Sequence, residues 1–479
     1  MKNQLRPALP RLLCGALVAI LFATAPCGAR SASAETKPTP AAAQTPQGSS
    51  ATPAAAEGLS RKQVAAIEKG IQGLRELKLK HPVPIVTRTP EQATKILEAE
   101  IDRQYTPEQI DTDGRAGAML GLYPHGINLK ASSLGLLESQ VVAFYDFHSK
   151  QMVIVKGALT TEFPGQSPQL REKIARMILA HEFTHALQDQ NFHFGAEEKK
   201  LEDNSDRSLA LHSVAEGDAT ISGYAFMLGG MNSSLLHVLL HNLENISKTF
   251  TSTAAGVPRG VAEPLIFQYT DGVRFVARAY QRGGWKAVDK LYTNPPESTQ
   301  QIMHPSLYYA HPELPDRVTV AGYKPLLRGW HVADSDTLGA LGLRIILQNT
   351  RGKNSPDLKL AEKWAGDRLV MLRKGKSVGV IWMVAFRDAG AAKKFGAIYR
   401  KVLARLSARR AAYHLEVRRS AVLVVVGNPA SRFDTLVPAL WKASKITAPP
   451  PGIPPAAKQL QAALPHTPRL ANGCMAAIC

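Results

Sequence analysis

His181-Glu182-Phe183-Thr184-His185 is the segment whose residue types and spacing most directly imply chemistry. On an α-helix, residues four apart share a face, so both imidazoles can reach one metal ion. Glu182 projects to the adjacent side, where a carboxylate can hydrogen-bond a water and take its proton. A catalytic metal needs a third protein ligand and leaves its fourth position to water. The extended pattern that adds a third histidine fails here, because Gln188 stands where its glycine should be and Asn191 where its histidine should be. His193 lies just beyond, with no spacing rule behind it. Glu216, in Val214-Ala215-Glu216-Gly217-Asp218-Ala219, is the stronger third ligand. A second helix packed back across the first would deliver it. Gly217 would let the two helices approach closely, at a helix-propensity cost of about 1 kcal/mol. A cation would compensate the buried carboxylate. The expected centre is therefore zinc on His181, His185 and Glu216, with Glu182 as general base. Asp218 either orients a ligand histidine from behind or faces solvent.

Helices must position these groups. Ser167-Pro168 supplies a capping residue and a proline at the first helical position, and Leu170, Ile174, Met177 and Ile178 follow at helical spacing. This predicts one helix to about residue 190 and a second over about 206–228. Upstream, Val64, Ile67, Ile71 and Leu74 mark a helix, 82–87 a short strand and 90–103 a helix. Two apolar runs, 141–145 and 151–155, flank a polar turn and predict a β-hairpin. Further helices are expected at 235–246 and 271–281. From about residue 332 the rhythm becomes helix, hairpin, helix, hairpin, helix. The predicted fold class is α+β, with a mostly helical catalytic domain carrying a small β element (59–330), then a smaller α+β domain (331–446).

Both ends read differently. Lys2, Arg6 and Arg11, the apolar run 12–22 and Ala32-Ser33-Ala34 predict a cleaved signal peptide over 1–34, and so an exported protein, periplasmic or secreted. The apolar run is short for a bilayer span, so no transmembrane segment is expected after cleavage. Residues 35–58 read as a disordered linker and 447–479 as a Pro-rich tail. Cleavage would leave Cys474 and Cys479, which could close a small loop in an oxidising compartment or lie in a frayed tail. It would also lower the formal charge from +19 to +15. Much of that charge lies in 393–419, without interleaved aromatics, so nucleic acid is not an expected partner. A solvated helix face and an anionic envelope surface are the two readings of that stretch.

Two histidines on a His-Glu-x-x-His helix, followed by Glu-Gly on the next, resemble the gluzincin metallopeptidases. Ala215-Glu216-Gly217-Asp218-Ala219 is similar to the Glu-Gly-x-Ala segment of their aminopeptidase branch. Residues 138–146, 181–190, 295–305 and 364–368 also resemble a group of exported bacterial proteins of that type. The resemblance implies a zincin-like fold, a peptide or protein substrate and an edge strand that pairs with it, here the 141–155 hairpin. It also implies a Tyr or His that donates to the oxyanion, for which His304, Tyr308 and Tyr309 are candidates by type. The expected function is zinc-dependent peptide hydrolysis. The rival is a non-catalytic zinc-containing envelope binding or assembly protein.

Overall fold

The computed structural model describes residues 59–161, 166–201, 203–407 and 412–449, together with the strand β1 (Ala16–Val18). The expected linker, the tail from residue 450 on, both of its cysteines and the rest of the expected signal peptide lie outside these residues. Four helices open the body: α1 (Arg61–Arg75), α2 (Pro90–Gln104), α3 (Pro107–Leu120) and α4 (Leu129–Glu138). Reciprocal capping boxes start the first three, Ser60 with Gln63, Thr89 with Gln92 and Thr106 with Gln109. Beside them lies a sheet of order β1-β3-β4-β2, in which β2 is Ile85–Arg88, β3 Val141–Asp146 and β4 Gln151–Val155. The expected hairpin is β3–β4, closed by a turn in which Lys150 takes φ 58°. Strand β2 joins β4 in parallel, and β1 lies antiparallel on the outer edge of β3.

After the short α5 (Ala158–Thr161) come α6 (Pro168–Phe192), α7 (Phe194–Lys199), α8 (Ser205–Met227), α9 (Ser233–Thr253) and α10 (Arg259–Thr293). Helices α6, α8 and α10 stack as the centre of the main core. Gly217 has a different role from the one expected. It faces α10, where an added Cβ would lie 2.5 Å from the carbonyl oxygen of Gly272. Gly223 admits α6 instead, its Cβ position standing 3.0 Å from the Met177 carbonyl oxygen. Two short helices, α11 (Thr299–Met303) and α12 (Ser306–Tyr309), lead out of the bundle.

The C-terminal unit is one antiparallel sheet of order β6-β7-β8-β10-β9, built from His331–Asp336, Trp364–Lys374, Ser377–Phe386, Ala421–Gly427 and Tyr413–Arg418 respectively. Its strands alternate as a two-sided sheet must. Leu369, Met371, Val380, Trp382, Val422 and Val424 face α13 (Gly339–Arg351) and α14 (Ala389–Ser407). Val370, Leu372, Ile381, Met383, Leu423 and Val425 face α15 (Phe433–Ala443) and a strap containing Val318, Tyr323 and Leu327. That strap opens with β5 (Arg317–Thr319), which pairs with β11 (Lys445–Thr447). Residues 317–327, expected in the catalytic domain, thus pack on the C-terminal sheet. Strand β6, which the sequence reading passed over, is its fifth strand.

The two units are joined at the first turn of α8. Ser205 N–H donates to Asp336 (2.8 Å) and Asp206 N–H to the Thr337 carbonyl (3.2 Å). The Asp206 carboxylate accepts from Thr299 N–H (3.1 Å) and from the Thr299 hydroxyl. The Thr299 hydroxyl oxygen in turn accepts from Leu341 N–H (3.1 Å). Asp367 is held by both Trp364 and Trp382 indole N–H groups (2.9 Å each) and by Leu338 and Gly339 N–H. The segments 295–305 and 364–368 are therefore structural fasteners.

Asp113, Asp334 and Asp336 are also buried at this junction, and neither Asp113 oxygen has a hydrogen-bond partner among the described residues. Burial, reinforced by Asp334 and Asp336, lifts the Asp113 carboxyl well above its ordinary range. Burial pushes Asp206 up to about 7 and Asp336 up to about 6. The fold thus binds these protons more tightly than the unfolded chain does. Their stabilising contribution is complete below about pH 4 and is lost as pH rises through 6 to 7. The melting temperature should fall between pH 5 and 8, and Asp113→Asn should flatten that slope and raise the melting temperature at pH 8. A variant that melts lower than wild type at pH 8 would contradict this.

Candidate metal centre

The motif sits in the middle of α6, and His181, Glu182 and His185 are each at most 2% exposed. Helix α8 crosses behind it and presents Glu216, 1% exposed. Three ligand atoms converge. The two imidazole Nε2 atoms are 3.0 Å apart, and Glu216 Oε2 lies 3.2 Å from that of His181 and 3.5 Å from that of His185. Donor atoms around a tetrahedral ion bonded at 2.0–2.1 Å stand about 3.3 Å apart, so the set fits a metal ion without rearrangement. His181, His185 and Glu216 form the group among the described residues that could hold one. The sequence-predicted ligands are brought together.

Electrostatics point the same way. Burial lowers the His181 imidazole to about 4, with neighbouring His185 adding to the effect. Burial also opposes charge on His185, but Glu216, Glu182 and Gln188 outweigh it and raise that ring to about 9. Glu216 is depressed well below its ordinary value, because the two histidines overcome its desolvation. Without a metal, the buried carboxylate thus keeps a compensating proton on His185. A cation at the same point can replace that proton.

Gln188 orients His185. Its side-chain oxygen lies 2.9 Å from His185 Nδ1, while its amide donates to the Ala215 carbonyl (3.0 Å) and to Asp218 (3.2 Å). These bonds favour the tautomer with the proton on Nδ1, which leaves Nε2 free to ligate. Asp218 is buried rather than facing solvent, and it accepts from the Gln188 amide. It also accepts from the Tyr292 hydroxyl (2.8 Å) and the Ser222 hydroxyl (3.2 Å). Arg75 Nε contacts it at 2.9 Å, and the same guanidinium reaches Asp289 at 2.8 Å and lies 4.3 Å from the Trp285 ring centroid. Tyr269, from α10, stacks near His181 with ring centroids 6.3 Å apart.

Glu182 is fixed on one side only. Its Oε2 accepts the Tyr145 N–H of β3 at 2.7 Å, while its Oε1 is buried without a hydrogen-bond partner. Burial, with Glu216 nearby, pushes this carboxyl up to about 8. The Tyr145 hydroxyl and Lys150 both reach Asp189 (3.0 and 2.7 Å), fastening β3 and its turn to α6.

Other sequence candidates lie elsewhere. His193 caps the C-terminal end of α6 at φ 55°, outside the ligand group. Tyr308 and Tyr309 are not available as oxyanion donors, because their hydroxyls donate to the Asn294 (2.6 Å) and Phe275 (3.0 Å) carbonyls. His304, the remaining candidate for the oxyanion, lies in the turn between α11 and α12. Gln188, Arg75 and Tyr269 were missed. Only Gln188 carried a signal, one turn beyond His185 on the ligand face.

Residues 326–436 match a family described as a domain of unknown function, DUF8575. The span coincides with most of the C-terminal sheet unit and excludes the metal centre. Neither a curated protein nor a solved structure matches the chain.

Proposed function

We propose that the protein is an exported zinc-dependent peptidase. The observation that carries this is the convergence of two imidazole nitrogens and one carboxylate oxygen, with the unpartnered Glu182 Oε1 one residue along the same helix. Zinc on these ligands would polarise a scissile carbonyl and acidify a water. His181, His185 and Glu216 would hold the ion, and Gln188 keeps His185 in the tautomer that can ligate. Glu182, steadied by Tyr145 N–H, takes the proton on Oε1 and returns it to the leaving amine.

The outer edge of β3 supports a peptide substrate, since it pairs with an extended segment, Ala16 opposite Phe144 and Leu17 opposite Ala143. Removal of the expected signal peptide would vacate that edge for substrate. No helix among the described residues is long and apolar enough to cross a membrane.

The near-complete burial of the ligands favours a second reading, in which zinc serves structure and the protein binds or assembles without catalysis. Incubating the purified mature chain with a peptide library separates the two. Cleavage that stops with chelator and returns with zinc is expected. Cleavage that continues in chelator would defeat the proposal, and one bound zinc per chain without cleavage would favour the second reading.

A further inference from the structure

We propose that the C-terminal unit docks the protein on an anionic phospholipid bilayer through the outer face of α14. The inference stands independently of the zinc reading. Charge is segregated along the chain. Residues 59–330 hold 29 basic and 29 acidic residues, whereas 331–447 hold 22 basic and only eight acidic ones. Four of those eight acids, Asp334, Asp336, Asp357 and Asp367, are buried. The surface of this unit is thus more cationic than its composition.

Helix α14 concentrates the effect. It carries Lys393, Lys394, Arg400, Lys401 and Arg405, all exposed, and no acidic residue. At 3.6 residues per turn they occupy one arc of about 140°. The opposite side, with Phe395, Tyr399, Val402 and Leu403, is buried on the sheet. Arg400 and Arg405 reach only the Leu415 and Thr350 carbonyls. Among the described residues none of the five cations forms an ion pair, so their charge is available to a partner.

The shape selects the partner. A helix lying on a sheet presents a convex, one-sided charged strip, which suits a flat layer of phosphate headgroups. The aromatics of α14 face inward, so the strip lacks the stacking platforms that single-stranded nucleic acid uses. The expected export signal would also bring the chain to a compartment bounded by such bilayers.

Each cation near an anionic leaflet strengthens attachment about five-fold, so removing three should weaken it roughly 100-fold. The test is co-sedimentation of the full mature chain with phosphatidylglycerol or phosphatidylcholine vesicles. Binding should be confined to the anionic vesicles, fall with added salt, and drop by about that factor in Lys393→Gln/Lys394→Gln/Lys401→Gln. The matching Lys→Arg triple should bind like wild type, and both triples should melt like wild type. Equal binding to both lipids, or wild-type binding by the Gln triple, would overturn the proposal. Capture of duplex DNA without vesicle binding would also overturn it and assign the strip to nucleic acid.

Discussion

Glu182→Gln is expected to retain one metal ion per chain and to cut peptide turnover by about 10²–10⁴-fold. Glutamine preserves the size of the side chain, and its oxygen can still accept the Tyr145 N–H that Glu182 now accepts at 2.7 Å. The other terminal position becomes an amide nitrogen, which cannot take a proton from water. His181, His185 and Glu216 are untouched, so metal measured by elemental analysis should not change. That pairing of outcomes separates a lost proton acceptor from a damaged site. A variant that hydrolyses peptides at the wild-type rate would remove Glu182 from the mechanism.

The second large effect concerns stability. Arg75→Met should destabilise the fold by about 3–5 kcal/mol, because it strands a carboxylate in the interior. Arg75 and Asp218 are fully buried, whereas the Asp289 side chain is 25% exposed and can be rehydrated. Burial disfavours the guanidinium charge, but Asp218 and Asp289 hold it ionised above its ordinary range. Methionine fills much of the space beside Trp285 and supplies no charge. Denaturant unfolding should show the loss, and adding Asp218→Asn should recover a large part of it by removing the orphaned charge. A single variant as stable as wild type would mean that the pair adds nothing net. Asp218 also supports Gln188, so the metal affinity of the folded Arg75→Met protein should fall about 10–100-fold.

The centre was legible because its parts obey local rules. His181 and His185 are one helical turn apart, and Glu216 carries a Glu-Gly signature on the next predicted helix. Capping residues such as Ser167 placed the helix start without tertiary information. The supporting layer was not legible, because it is assembled across long separations. Arg75 meets Asp218 from 143 positions away, and no periodicity links them. Gly217 was read as a close-approach residue correctly, but against the wrong neighbour, since sequence spacing does not say which helix crosses where. Helices α3 and α4 were passed over: α3 mixes Asp, Gly and Ala, which weakens its apolar stripe, and packs partly through those small residues. Strand β6 was missed for a related reason, as Asp334, Ser335 and Asp336 give it no apolar run although all three are buried.

The docking of α8 by its first turn bears on how this protein can be divided. The helix that delivers Glu216 begins with Ser205 and Asp206 held by Asp336, Thr337 and Thr299. A fragment ending at residue 330 would contain His181, His185 and Glu216 yet lack the Asp336 and Thr337 acceptors for that helix, and Asp113 would lose the strand that encloses it. The span matched by the DUF8575 family is therefore packed against the helix that carries Glu216, and a boundary visible in the sequence is not a seam in the folded molecule.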